Sequence, residues 1–233
     1  MKYLAFIWSE GPSTAEELAV MRREIPRYDE EMTRRGVFLF GRELMLPETA
    51  ATVRVRDGEM LVSDGPFAET KEFVAGLNLL DCAGLDEAVE VVAKSPVSWF
   101  KTMEIRPFPG EPPLSQQASA FGRGEDGGAT PYLLAAWTGG QAAAEVDEAW
   151  RQDLRARGLH VLGGALGGAA EATTVRVRDG QTLLGAGPAT GTGAFIASMD
   201  VVRCAGRQQA LELAAAHPAA RNHVIEVRPF YTG

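Results

Sequence analysis

The heptapeptide TVRVRDG occurs twice in this chain of 233 residues, at Thr52 to Gly58 and at Thr174 to Gly180, 122 positions apart. The same offset pairs Gly36 with Gly158, Gly65-Pro66 with Gly187-Pro188, Cys82 with Cys204, Pro96 with Pro218, and EIRPF at 104–108 with EVRPF at 226–230. Residues 36–108 and 158–230 align without a gap and share 28 of 73 positions, which marks a duplication. Whatever one copy folds into, the other must be able to fold into as well. The first strands match too, Tyr3–Trp8 with Tyr132–Trp137, but at an offset of 129, so the second copy is shorter between its first strand and first helix. Residues 109–130, PGEPPLSQQASAFGRGEDGGAT, are rich in Pro, Gly, Ser and Gln and read as a flexible linker between domains at 1–108 and 131–233.

Each copy carries the same pattern of elements. Lys2 to Trp8 is apolar on both sides, which predicts a strand buried on both faces of a sheet. A helix is expected from Thr14, where Thr14 and Glu17 fit a capping box, to Arg35, with Gly36 as its stop and Pro26 as a kink or break. Val37–Phe40 and Thr52–Arg56 read as strands, and Asp57-Gly58 as a two-residue hairpin turn. Phe73–Leu80 (strand), Leu85–Lys94 (amphipathic helix) and Met103–Pro107 (strand) complete the copy. This order predicts a ferredoxin-like α+β sandwich with helices on one sheet face. Such a sheet leaves its other face uncovered, and a duplicated chain can bury both by packing them together. The expectation is therefore an intramolecular pseudo-dimeric α/β barrel with an interior cavity, monomeric as a molecule.

Composition narrows the function. With 31 acidic and 23 basic residues the net charge is −8, and no basic cluster offers the footprint that phosphate neutralisation requires, so nucleic acid is not expected as a partner. No run approaches a membrane span and the start lacks a signal-peptide pattern, so no membrane partner and a cytoplasmic location are expected. Two cysteines and three scattered histidines give no metal-ligand spacing, and GGALGGAA at 163–170 has neither Walker nor GxGxxG spacing. No cofactor and no metal are expected.

PETAATVRVRDGEMLVSDGPFAETKE at 47–72, with LDEA at 85–88 and EIRPF at 104–108, resembles the YCII-related family, in its DGPF branch. The resemblance covers 1–108 and, more weakly, 131–233. It implies a ferredoxin-like fold that forms dimeric α/β barrels, so that a tandem copy looks like a fused dimer. It also implies two kinds of function. Family members include small-molecule enzymes, such as a dehydrochlorinase of chlorinated hydroquinone breakdown, and many proteins encoded beside sigma factors. In some members a first-helix histidine sits near the aspartate of the DGPF-type loop. Here that aspartate is Asp64, while the histidine's place falls near Ile25 or Asp147, and the second loop reads Ala186-Gly187-Pro188-Ala189.

These readings select candidates. Asp64 is the candidate general base, or else an aspartate that satisfies its own turn. Arg54 and Arg56 alternate with Val53 and Val55 and point to one side of a strand, where they clamp an oxyanion or merely guard an edge. Tyr28 is a candidate proton donor or acceptor in a site without histidine. Trp8, Trp137 and Trp150 are core residues or the walls of a pocket for a flat ligand, and Lys71, with Glu69 and Glu72, is a candidate polar contact. His160, His217 and His223 read as packed or cap residues, and Cys82 and Cys204 as buried reduced thiols. The leading expectation is a cofactor-independent lyase, cyclase or isomerase acting on an aromatic or polyketide-type small-molecule substrate. The alternative is a non-catalytic ligand-binding or regulatory module that partners a sigma factor.

Overall fold

A computed structural model of the chain describes residues 1–67, 72–109, 129–139, 148–190 and 193–231. The first repeat contributes β1 (Lys2–Ser9), α1 (Ala15–Arg34), β2 (Phe38–Glu43), β3 (Ala51–Arg56), β4 (Glu59–Asp64), β5 (Phe73–Asp81), α2 (Leu85–Lys94) and β6 (Thr102–Pro107). The second contributes β7 (Thr130–Gly139), α3 (Glu148–Ala156), β8 (His160–Ala165), β9 (Thr173–Arg178), β10 (Gln181–Ala186), β11 (Ala194–Cys204), α4 (Arg207–Ala216) and β12 (Val224–Pro229). These form two antiparallel sheets, ordered β10-β9-β6-β1-β5-β2 and β4-β3-β12-β7-β11-β8. The four strands β6-β1-β5-β2, and their counterparts β12-β7-β11-β8, have the ferredoxin-like order. Neither sheet closes on itself, so the strand pairing does not make the closed barrel that was expected.

Each repeat lends its TVRVRDG hairpin to the sheet of the other. β3 pairs with β12 through Val53–Ile225, and β9 pairs with β6 through Val175–Met103. Two compact units result, one made of Met1–Glu43, Thr70–Pro109 and Gly167–Gly191, the other of Leu44–Glu69, Gly110–Leu166 and Thr192–Gly233. The hairpin turns are tight because Asp57 and Gly58 (φ 54° and 82°), like Asp179 and Gly180 (φ 50° and 73°), take the left-handed conformation that a two-residue turn requires. β9 is integral to unit one, where Val175 is fully buried among Tyr3, Ala5, Met32, Val91 and Ile105. As its unbroken apolar run requires, β1 is buried from Tyr3 to Ser9.

Helix α1 begins as expected, Thr14 accepting the Glu17 amide and Glu17 accepting the Thr14 amide. Of the kink or break expected at Pro26, the break does not occur, and the helix runs through it. Pro26 and Arg22 lie on the exposed side, so water can take the Arg22 carbonyl that proline leaves without its amide partner. Among the described residues no helix is long and apolar enough to cross a membrane.

Candidate functional site

In unit two the β3–β4 hairpin approaches the turn after α4, and a cavity of about 910 Å³ lies between them. Its buried floor is Trp137 and Val224, and its rim carries Arg54, Arg56, Asp57, Arg221, Asn222 and His223. The loop after β4 closes one side. Gly65 (φ 96°) turns the chain, its amide bonding the Ala50 carbonyl, and Phe67 then donates its amide to Glu226 Oε2 at 3.1 Å. The Phe67 ring lies 5.8 Å from Trp137, centroid to centroid, and Arg54 Cζ sits 5.8 Å from the Phe67 centroid. Guanidinium, phenyl and indole are thus layered along one wall.

Beneath this loop Glu226 and Arg228, neighbours on one face of β12, are both buried. Arg228 Nη1 donates to Glu226 Oε1 at 3.2 Å and Nη2 donates to the Met45 carbonyl. Burial lowers the Arg228 pKa from its ordinary value while Glu226 opposes the shift. The EVRPF sequence is therefore the anchor of the DGPF loop. One carboxylate holds Phe67 and one guanidinium holds the chain where it enters the hairpin.

Of the candidates read from sequence, Arg54, Arg56 and Trp137 meet at this cavity. Asp64 does not line it. It ends β4 with its side chain 87% exposed and ion-paired to Arg207, the first residue of α4. Tyr28 lies in unit one, where its hydroxyl donates to the Val91 carbonyl at 3.2 Å and burial pushes its pKa far above the ordinary phenol value. Trp8 is buried in β1 of unit one. Trp150 packs edge-on against His217, 4.7 Å between ring centroids. Lys71 and Glu69 lie outside the described residues, as do Asp147 and nearly all of 109–130.

Sequence reasoning passed over Phe67, Arg221 and Asn222, weighed His223 only as a packed or cap residue, and did not bring His160 and His217 together in a buried cluster. Asp200 on β11 is fully buried and accepts Arg151 Nε at 2.6 Å, Arg151 Nη2 at 2.9 Å, His160 Nε2 at 2.8 Å and His217 Nε2 at 3.2 Å. Burial raises the Asp200 pKa, but the bonds from both histidines and the bonds and charge of Arg151 outweigh it. They hold the carboxyl far below the usual carboxylate range. Gly163, opposite Asp200 in the β8–β11 register, leaves the room: a Cβ there would lie 1.9 Å from Asp200 Oδ1. One signal was in plain sight. Asp200 stands in AFIASMDVV, an otherwise apolar strand, and a charge buried in such a strand must be paired.

Unit one repeats the cavity with different contents. Its counterpart, about 920 Å³, lies between the β9–β10 hairpin and α2 with the turn that follows, lined by Asp86, Glu90, Lys94, Trp99, Arg178 and Asp179 among others. Arg176, the match of Arg54, bonds Glu72 at 2.9 Å and also Thr102. Arg178, the match of Arg56, donates to the Trp99 carbonyl. The loop is anchored as in unit two, Ala189 donating its amide to Glu104 at 2.9 Å, but alanine replaces the phenyl ring of Phe67.

Comparison with known proteins agrees with the motif reading. The family model described as the YCII-related domain matches residues 1–108. "Uncharacterized protein R00369" of Rhizobium meliloti (strain 1021) is 57% identical over 47 residues, which is 20% of this chain and 38% of that relative's own length. A solved structure, "Crystal structure of Putative Chlorite dismutase TA0507", matches with 8% identity over 99% of this chain and 94% of its own, at a TM-score of 0.38.

Proposed function

We propose, from the match of residues 1–108 to the YCII-related domain, that the chain binds a small, flat, anionic molecule in the unit-two cavity and transforms it by proton transfer without a cofactor, as a lyase, cyclase or isomerase of aromatic or polyketide-type substrates. One observation carries this reading. Arg54, Arg56, Arg221 and His223 line one cavity together with Phe67 and Trp137, and Asp57 is the one acid among its described lining residues. Guanidinium groups present fixed donors to a carboxylate or phenolate, and the aromatic pair supplies an apolar wall. The cavity volume falls within the range of sites for drug-sized ligands. His223 is the imidazole among the described lining residues, and an imidazole nitrogen can take or give a proton, so the proton-transfer role goes to it.

The test is calorimetric titration with naphthoate, and with the neutral alcohol of the same ring system. The reading expects naphthoate to bind at one site and the alcohol at least about tenfold more weakly, since the anion's charge-assisted bonds are lost. Equal affinity for both, or none for either, overturns it.

The exposure of Asp64 favours a second reading, a non-catalytic module that holds the same ligand and regulates a partner such as a sigma factor. The replacement His223→Gln separates the two. Loss of proton exchange from a bound carbon acid with ligand binding retained supports the enzyme. Absence of any exchange in the unaltered protein supports the module.

A further inference from the structure

We propose that His217 is a positioning residue for the unit-two cavity, coupling the buried Arg151–Asp200 pair to the turn that presents Arg221, Asn222 and His223. The proposal rests on the ligand reading above for its functional meaning, but not for its geometry. His217 follows α4 and begins the short turn Pro218–Arg221. Its two ring nitrogens are both engaged: Nε2 faces Asp200 Oδ2 at 3.2 Å, and Nδ1 accepts the Ala219 amide at 3.1 Å. An ionised carboxylate only accepts, so Nε2 carries the proton, and Nδ1, as an acceptor, carries none. His217 is therefore neutral and held in one tautomer.

From that fixed ring the chain winds directly into the cavity wall. The Ala220 amide bonds the His217 carbonyl at 2.9 Å, and the Asn222 and His223 amides bond the Ala219 carbonyl at 3.2 and 2.8 Å. Ala220 through Val224 line the cavity. Behind the ring, Asp200 is clamped by both arms of Arg151, a bidentate pair that gives direction as well as charge neutrality. The charged or titratable groups facing His217 are Asp200 from β11, Arg151 from α3 and, across Asp200, His160 from β8. The Trp150 ring closes its remaining side. In unit one Ser95 occupies the equivalent position, capping the Val97 amide, while Asn78, Phe38 and Asp29 replace Asp200, His160 and Arg151. The charged brace belongs to the unit whose cavity collects the arginines.

Two variants, His217→Asn and His217→Val, form the test. Asparagine can accept the Ala219 amide, and valine cannot. In His217→Val the amides of Ala219, Asn222 and His223 are expected to exchange about tenfold faster, the scale of a lost cap, with the amides of β11 and β12 unchanged. Naphthoate affinity should fall by a similar factor. In His217→Asn, amide protection and naphthoate affinity should both be retained, because the Ala219 amide keeps an acceptor. Uniform acceleration of exchange throughout unit two, or a loss in His217→Asn as large as that in His217→Val, overturns the proposal. If naphthoate binds nowhere the ligand reading falls, while the exchange pattern still decides whether His217 sets the turn.

Discussion

The two cavities are built by the same sequence rule and differ in what their charges are committed to. In both units a TVRVRDG hairpin from one repeat faces the helix and turn of the other, a buried glutamate holds a Gly-Pro loop, and a buried arginine holds the chain's entry into the hairpin. In unit one the hairpin arginines are spent internally, Arg176 on Glu72 and Thr102, Arg178 on a carbonyl. In unit two, Arg54 lies over a phenyl ring, and among the described residues neither it nor Arg56 bonds a carboxylate. The second repeat's hairpin arginines thus hold unit one together, while the first repeat's Arg54 and Arg56 line the unit-two cavity. Duplication preserved the frame, and divergence redistributed the donors.

The largest expected effect breaks the comparison at the buried cluster. Replacing Asp200 by Asn leaves Arg151 buried without its counter-charge, which typically costs about 3–5 kcal/mol, read as a fall in the urea midpoint. The reciprocal Asn78→Asp should also destabilise, because Asp29 rather than an arginine occupies the matching helix position. The pH dependence has a definite sign. Asp200 has a folded-state pKa below its unfolded value, so its contribution is present above about pH 4 and is lost as pH falls from there toward the folded pKa. Acid unfolding should therefore begin in unit two.

Next in size, Arg54→Ala should weaken naphthoate binding by about ten- to a hundredfold, the scale of one charge-assisted pair. Arg176→Ala should leave that binding unchanged and only loosen Glu72. Equal losses from both replacements would mean that the internal pairing of Arg176 does not separate the two cavities. Calorimetry on the two variants decides it.

The ferredoxin-like order was legible because it is written in local pattern: the doubly apolar run of β1, the Thr14–Glu17 box, the Asp-Gly turns. Which sheet a hairpin joins is not local. Val53 and Val55 alternate in the same way whichever strand they pair with, so the exchange of hairpins left no mark on TVRVRDG itself. The cavity was half visible, since Arg54, Arg56 and Trp137 were singled out by strand alternation and repeat alignment. The cluster on Asp200 was hidden by distance, with His160 and His217 lying 40 and 17 residues away in sequence. Asp64 drew attention because the DGPF motif contains it. In the fold Gly65 and Phe67 of that motif do the structural work.

A smaller effect concerns Tyr28. Its hydroxyl is used by the Val91 carbonyl, and its burial disfavours the phenolate, so Tyr28→Phe should cost about 0.5–1.5 kcal/mol, one neutral hydrogen bond, in unit one alone. Ligand affinity should not move, and a change in turnover would return Tyr28 to the site.

The smallest effect bears most directly on what separates the repeats. Asp64 in the first loop and Ala186 in the second are the most visible difference between an intact and an eroded motif. An exposed carboxylate paired to an exposed guanidinium gains little Coulomb energy in water and loses side-chain freedom, and many such pairs contribute nothing measurable. Asp64→Ala should therefore leave the urea midpoint and the naphthoate affinity where they were. Replacing Phe67 by the alanine of the second loop should instead remove the ring from between Arg54 and Trp137 and weaken binding. If Asp64→Ala abolishes binding while Phe67→Ala spares it, the distinction between the units lies in the aspartate, and the layered wall of guanidinium, phenyl and indole is only packing.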